Sequence, residues 1–224
     1  AALPGVKVNV VMGRHAGFLT AAAALARTYP GAGPHLIYLP ERPFDLELFP
    51  QQVKAMVEKH GRCVVAVSEG IADITGTAIA ATFTKEVDSH GNVQLSGSGA
   101  LGDALANLIK TKTDITRVRA DTFGYLQRSF PGVVAANDAK EAFAVGRAAV
   151  KLATSGDVDG SVAIRRKKGK KYQVYFERVE LRSVAKETRH MPNEFIAANG
   201  CDVTKAFIDY AAPIVGPLPK IGRF

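Results

Sequence analysis

Cys63-Val64-Val65-Ala66-Val67 is an unbroken apolar run. Side chains of a strand alternate between its two faces, so a strand made of these residues must be covered on both sides. That is the condition of a parallel strand between helix layers. The preceding sequence supplies the helices. Val6 to Val11 reads as a strand, and Phe18 to Thr28 as an Ala/Leu-rich helix ended by Tyr29-Pro30-Gly31. His35 to Leu39 is a short apolar strand stopped by Pro40, and Phe49 to His60 places Phe49, Val53, Met56 and Val57 at helical spacing. Strand, helix, strand, helix, strand in the first 70 residues predicts an α/β fold: a three-layer sandwich around a mainly parallel sheet.

Downstream the pattern loosens. Residues 72 to 95 are polar and irregular, with a turn at Ser89-His90-Gly91-Asn92. Ala100 to Lys110 reads as a helix and Arg117 to Ala120 opens an extended piece. Asp138 to Ala153 is a long helix with Asn137 or Asp138 as its cap. Gly160 to Leu181 reads as a β-hairpin, and Val203 to Ala212 as a helix in a proline-containing tail. Two domains are expected. Residues 1–130 form an α/β domain that binds the ligand; residues 131–224 hold the long helix, hairpin and helical tail.

The composition narrows the function classes. Hydrophobic residues are 47% of 224, enough for a large core. No apolar run reaches the roughly 18 residues of a membrane span, and no segment has the order of a signal peptide. Cys63, one of two cysteines, is expected as a buried free thiol, which suits a reducing, cytoplasmic compartment. No His/Cys cluster has metal-ligand spacing. Of the net charge of +8, much is local: Arg165-Arg166-Lys167-Lys168-Gly169-Lys170-Lys171 carries six cations. A solvated hairpin tip explains it better than a nucleic-acid patch, because aromatic–basic interleaving is thin.

Three strand ends carry polar groups out of proportion to their surroundings, and open α/β sheets bind ligands at such ends. Met12-Gly13-Arg14 joins a strand to a helix whose start offers amide donors, and Arg14 adds a fork for phosphate or carboxylate. His15 lies in the same junction. Ser68-Glu69-Gly70 sets a carboxylate directly after an apolar strand; a structural ion pair is the competing role. Arg119, Tyr125 and Arg128 form the third group. Arginines hold phosphate, a carboxylate accepts from sugar hydroxyls, and a phenol serves either, so the set suits a phosphorylated sugar. Gly97-Ser98-Gly99-Ala100-Leu101-Gly102 has the form of a dinucleotide fingerprint. No firm strand precedes it, and Asp121 does not follow an apolar strand, so a glycine-rich helix entry is the better reading. Asp45 reads as a helix-start residue.

Val-Met-Gly-Arg-His-Ala-Gly, Val-Ala-Val-Ser-Glu-Gly and Arg-Ala-Asp-Thr-Phe-Gly-Tyr-Leu-Gln-Arg-Ser, in that order, resemble the phosphofructokinases, and among them the diphosphate-dependent branch. ATP-using bacterial relatives usually carry His at the place of Tyr125 and end that motif Gly-Gly, where this chain has Ser129. The resemblance implies a phosphofructokinase-like fold and phosphoryl transfer from diphosphate to the 1-hydroxyl of fructose 6-phosphate, giving fructose 1,6-bisphosphate. It implies that Met12, Gly13, Arg14, Glu69, Tyr125, Gln127 and Arg128 bind fructose 6-phosphate, and that Arg119 reaches a neighbouring subunit of a homo-oligomer. It also implies Mg²⁺. The family's glycine-rich donor loop and Thr-Ile-Asp segment, with the general base, lie upstream of Met-Gly-Arg, and neither motif is in this sequence. The chain is therefore expected to be the half of an enzyme that grips the sugar phosphate, with no catalytic residue or metal ligand of its own. ATP as donor, or a non-catalytic sugar-phosphate-binding or regulatory subunit, are the alternatives.

Overall fold

The computed structural model describes residues 3–83, 99–156, 159–169 and 171–220. The expected turn at Ser89–Asn92 and the first two residues of the glycine motif, Gly97-Ser98, lie outside them. The chain folds as two compact units. One takes in Ala1–Ser129 and His190–Ile208, the other Phe130–Arg189 and Asp209–Ile221.

The first unit is built on four parallel strands: β1 (Gly5–Val11), β2 (Leu36–Tyr38), β3 (Arg62–Ser68) and β4 (Val118–Thr122), in the spatial order β2-β3-β1-β4. The apolar run Cys63–Val67 is a central strand, as its composition requires. Between the strands come α1 (Phe18–Ala22), α2 (Leu48–His60) and α3 (Ala100–Lys112). Val6, Val8, Val10, Cys63, Val65, Val67 and Val118 pack with Phe49 and Val53 of α2 and Leu101, Leu105 and Ile109 of α3 into one core. α1 contributes buried Thr20 and Ala21 against β2 and β3.

Asp45 starts α2 as its sequence suggests: its Oδ1 accepts from the Glu47 and Leu48 amides at 2.8 and 3.0 Å. Gly61 ends the helix in a left-handed conformation, φ +70°. α1 is shorter than its alanine content predicts. It tightens at Ala23 into a 3₁₀ turn ending at Ala26, after which Arg27 donates to the Pro34 carbonyl and to Asp202. The irregular stretch after β3 turns on Asp73, whose Oδ1 accepts the Thr75 and Thr77 amides. It then delivers Ile79 and Ala80 to the core, which its polarity concealed.

Gly99 leads into α3 with φ +72°, and Gly102 sits where a Cβ would meet Ala120 Cβ at 3.1 Å and Val10 Cγ2 at 3.4 Å. The glycine thus serves helix-on-strand packing. Asp121 lies inside β4, paired with Lys7 of β1.

In the second unit, α5 (Ala136–Ala153) follows the short α4 (Leu126–Ser129) of the first. Neither Asn137 nor Asp138 caps it. The cap position is Ala135, and Asn137 Nδ2 donates instead to the Pro213 carbonyl of α6 (Lys205–Val215) at 2.6 Å. Strands β5 (Ser161–Arg166) and β6 (Val174–Val179) form the predicted antiparallel hairpin. Two of the basic run's cations are engaged within the unit. Arg165 pairs with Glu177 at 2.7 Å, and the Arg166 guanidinium faces the rings of Tyr172 and Tyr210 at 5.0 and 5.6 Å. Burial, then the Glu141 carboxylate that accepts its hydroxyl, pushes Tyr172 up to about 12.

At the amino end of the sheet, His35 Nδ1 accepts the Val64 amide at 2.8 Å, which requires that nitrogen to be unprotonated. Burial and then the facing His60 hold its pKa below 6.5 against the pull of a Gly31 backbone bond, with lesser help from the cations Arg62 and Arg27. The unfolded chain then binds more protons than the fold once pH drops below about 6.5, so stability falls with falling pH. The melting temperature is expected to drop between pH 7.5 and 5.5, and His35→Gln to flatten that dependence; equal slopes in a thermal-melt series would refute the assignment.

Candidate active site

The register of the sheet brings the strand ends together. Val11 of β1 pairs with Ser68 of β3, and Val10 with Thr122 of β4, so the loops leaving these strands emerge side by side. Met12, Gly13, Arg14, Glu69, Tyr125 and Arg128 line a cleft of about 370 Å³ at this end. Six of the eight residues singled out in the sequence are thus neighbours.

The turn after β1 is held by its backbone. The Met12 amide donates to Gln127 Oε1 at 3.1 Å, so Gln127 acts on the cleft through Met12. The Gly13 and Arg14 amides point at Glu69 Oε1 at 3.3 and 3.4 Å, long bonds to a carboxylate that is only 3% exposed. Among the described residues Glu69 forms no ion pair; it is anchored by main-chain donors. Its neighbour Gly70 explains the closeness. A Cβ there would lie 1.5 Å from the Arg14 carbonyl oxygen. Arg14 itself has φ +35°, unusual for a residue with a side chain and costing on the order of 1–2 kcal/mol.

α4 carries the other wall. Phe123 N donates to the Val10 carbonyl at 3.0 Å, fixing the exit of β4, and the next turn sets Tyr125 and Arg128 at the cleft. The Arg128 guanidinium lies 5.9 Å from the Tyr125 ring centre, so phenol and cation present together. Arg119 is not at the cleft: it is an exposed residue near the start of β4, paired in register with Lys7. The helix start also differs from expectation. Gly17, the residue before α1, gives its amide to Glu41 Oε1 at 2.9 Å, so that donor faces a carboxylate of the chain rather than a ligand. His15 does not line the cleft; its carbonyl is bonded to His190 Nδ1 at 2.9 Å.

Chemically, the cleft offers two guanidinium forks, one phenol and one buried carboxylate, which suits a phosphate attached to a hydroxylated body. Among the described residues no three His, Cys, Asp or Glu side chains converge as a metal site. Glu69, the cleft's carboxylate, is turned to amides beside two cations. Magnesium, implied by the family resemblance, does not fit this set of donors. A larger cleft of about 490 Å³, touched by Arg27, His35, Lys59 and His60, opens at the opposite end of the sheet.

Residues 4–153 match the phosphofructokinase family model. The chain is 54% identical over 217 residues to the pyrophosphate–fructose 6-phosphate 1-phosphotransferase of Rhodospirillum rubrum, covering 96% of this chain and 53% of that protein. Crystal structures of pyrophosphate-dependent phosphofructokinases from Nitrosospira multiformis and Marinobacter aquaeolei superpose with TM-scores of 0.79 and 0.77 at 29% and 31% identity. They cover 100% and 99% of this chain and 51% of each of those chains. A protein with this sheet, this cleft and these similarities belongs to the phosphofructokinase family, and the chain spans about half the length of the relatives it matches. Among the described residues no helix is long and apolar enough to cross a membrane.

Two glycine substitutions separate close packing from conformational cost. Gly61 has positive φ, but its Cβ would meet nothing within 4 Å, whereas Gly70 is outside the positive-φ region and has the close contact. Gly61→Ala is expected to cost about 1 kcal/mol from its backbone conformation and Gly70→Ala about 3 kcal/mol from overpacking alone, which displaces the Arg14 turn. Urea unfolding of both variants measures the difference; equal costs would contradict the packing at Gly70.

Proposed function

We propose that this chain supplies the fructose 6-phosphate-binding side of a diphosphate-dependent phosphofructokinase. The enzyme would move a phosphoryl group from diphosphate to the sugar's 1-hydroxyl and release fructose 1,6-bisphosphate. The observation that carries this reading is the convergence of Arg14, Arg128, Tyr125 and buried Glu69 at the carboxyl ends of three parallel strands. The similarity to pyrophosphate–fructose 6-phosphate 1-phosphotransferases supports the substrate pair.

In this proposal Arg128 holds the 6-phosphate through two parallel N–H bonds, with the Tyr125 hydroxyl donating beside it. Glu69, anchored through Oε1, accepts from sugar hydroxyls with its other oxygen. Met12 and Gly13 form the wall on which the sugar lies, and Gln127 keeps that wall in place by accepting the Met12 amide. Arg14 orients the sugar and offsets charge on the phosphoryl group in flight. Catalysis of such transfers is mostly positioning and charge stabilisation, which is what this set can provide. Arg119, exposed on the edge strand β4, would serve a neighbouring copy in a homo-oligomer. The general base, the diphosphate-holding loop and the magnesium ligands would lie in the half of the relatives' length that this chain does not span. The division near residue 130 would then separate a sugar-phosphate domain, 1–130, to which the returning segment His190–Ile208 belongs, from the rest of 131–224, which completes the donor side. The exposure of Phe143 and Val150 on α5, 70% and 65%, suits a helix that awaits further covering.

Losing a bidentate phosphate contact should cost on the order of 2–3 kcal/mol. Arg128→Ala in the full-length enzyme is therefore expected to raise the fructose 6-phosphate KM strongly and leave the diphosphate KM near its starting value. An unchanged fructose 6-phosphate KM would overturn the assignment. Assays with diphosphate and with ATP decide the donor: turnover is expected with diphosphate, and exclusive use of ATP would overturn that choice.

A further inference from the structure

The unusual backbone of Arg14 is braced on the cleft side by Glu69 and Gly70. A second brace comes from the far side, through residues outside the cleft. Glu41 follows β2 and Pro40, and its Oε1 accepts two amides at 2.9 Å: that of Gly17, three residues beyond Arg14, and that of Met191. Met191 is 3% exposed and belongs to the segment His190–Ile208 that returns to the first unit. Its neighbour His190 bonds the carbonyl of His15 at 2.9 Å. The returning segment thus touches the turn twice within two residues, once directly and once through Glu41.

The fit around this carboxylate is close. A Cβ on Gly17 would lie 2.7 Å from Glu41 Oε2 and 2.9 Å from Leu39 Cδ2. Oε2 is itself buried with no hydrogen-bond partner among the described residues, so Glu41 sits in a site shaped to bring one oxygen onto two main-chain donors. No Lys or Arg side chain is bonded to this carboxylate in the described structure, which makes a surface ion pair a poor account of it. Residues in sparsely populated backbone conformations persist where the surroundings over-determine them, and here four separate pieces of chain converge on six residues, Met12 to Gly17.

We propose that Glu41 and His190 are positioning residues for fructose 6-phosphate: they hold the Met12–Gly17 turn, and through it Arg14, at the angle the sugar phosphate requires. This rests on the functional reading above. The His190–Met191 segment, far from the cleft residues in sequence, would then be part of the substrate grip.

The experiment uses the full-length enzyme and reads both substrates. Glu41→Ala removes the shared acceptor and is expected to raise the fructose 6-phosphate KM on the order of tenfold, with the diphosphate KM within about twofold. Glu41→Gln keeps an acceptor oxygen for both amides and is expected to restore the KM. His190→Ala, at an exposed position, is expected to raise the same KM about threefold without lowering the melting temperature. A folded Glu41→Ala enzyme with unchanged fructose 6-phosphate KM, or with both KM values raised alike, overturns the proposal. If Glu41→Ala does not fold, His190→Ala decides it, an unchanged KM counting against. Arg128→Ala run alongside separates the two failures. A raised KM there with unchanged values for Glu41→Ala and His190→Ala defeats only the brace, whereas an unchanged KM for Arg128→Ala defeats the sugar-phosphate reading and the brace with it.

Discussion

The parallel pairing of β1 with β3 is the constraint on which the site depends. Seven consecutive residue pairs, Gly5 with Arg62 through Val11 with Ser68, set the two strands in step, so they end at the same level. Their exits then compete for the same space. The conflict is resolved by the absence of a side chain at Gly70 and by Glu69, which turns its carboxylate to the Gly13 and Arg14 amides. A one-residue slip of β3 would put its side chains on the opposite faces and carry Glu69 out of reach. Fold and site are therefore fixed by one register.

That dependence explains why a carboxylate can be buried beside a cleft lined by two arginines. An unpaired buried charge is costly, and an anionic ligand would make it worse. Glu69 avoids the penalty by accepting main-chain donors that the tight turn leaves without helical or sheet partners. The amides that a strand-to-helix junction could aim at a ligand are engaged by Glu69 and Glu41, so the positive charge that the cleft offers is that of side chains, Arg14 and Arg128.

The sequence disclosed the elements whose physics is local. An apolar run such as Cys63–Val67 and a stripe such as Phe49, Val53, Met56 and Val57 carry their burial in their spacing, and the parallel sheet with α2 appears where those patterns lie. The ordered motifs likewise led to Met12–Arg14, Glu69, Tyr125 and Arg128, which the structure assembles around one cleft. Ends of helices were less legible. Asn137 has good capping chemistry, but a tertiary partner, the Pro213 carbonyl, wins its side chain. Ile79 was concealed because a polar turn built on Asp73 precedes it. Glu41 and His190 left no local trace at all, since their partners lie 24 and 175 residues away and are backbone atoms, which look the same at every position of a sequence.

The two units also differ in how much of their packing is their own. The sheet unit closes a core between its strands and helices, with Val8, Val65, Leu105 and Ile109 entirely buried. α5 is longer than any helix of that unit and equally periodic, yet buries no residue. Its unit relies on directional contacts instead: the Arg165–Glu177 pair, the Tyr172–Glu141 hydrogen bond and the Arg166 guanidinium against two tyrosine rings. Exposed pairs of this kind contribute little each, roughly 0–1 kcal/mol, whereas burying a Phe or Val side chain contributes about 1.5–3 kcal/mol. Covering the exposed Phe143 and Val150 would therefore stabilise the second unit more than any one of these polar contacts does.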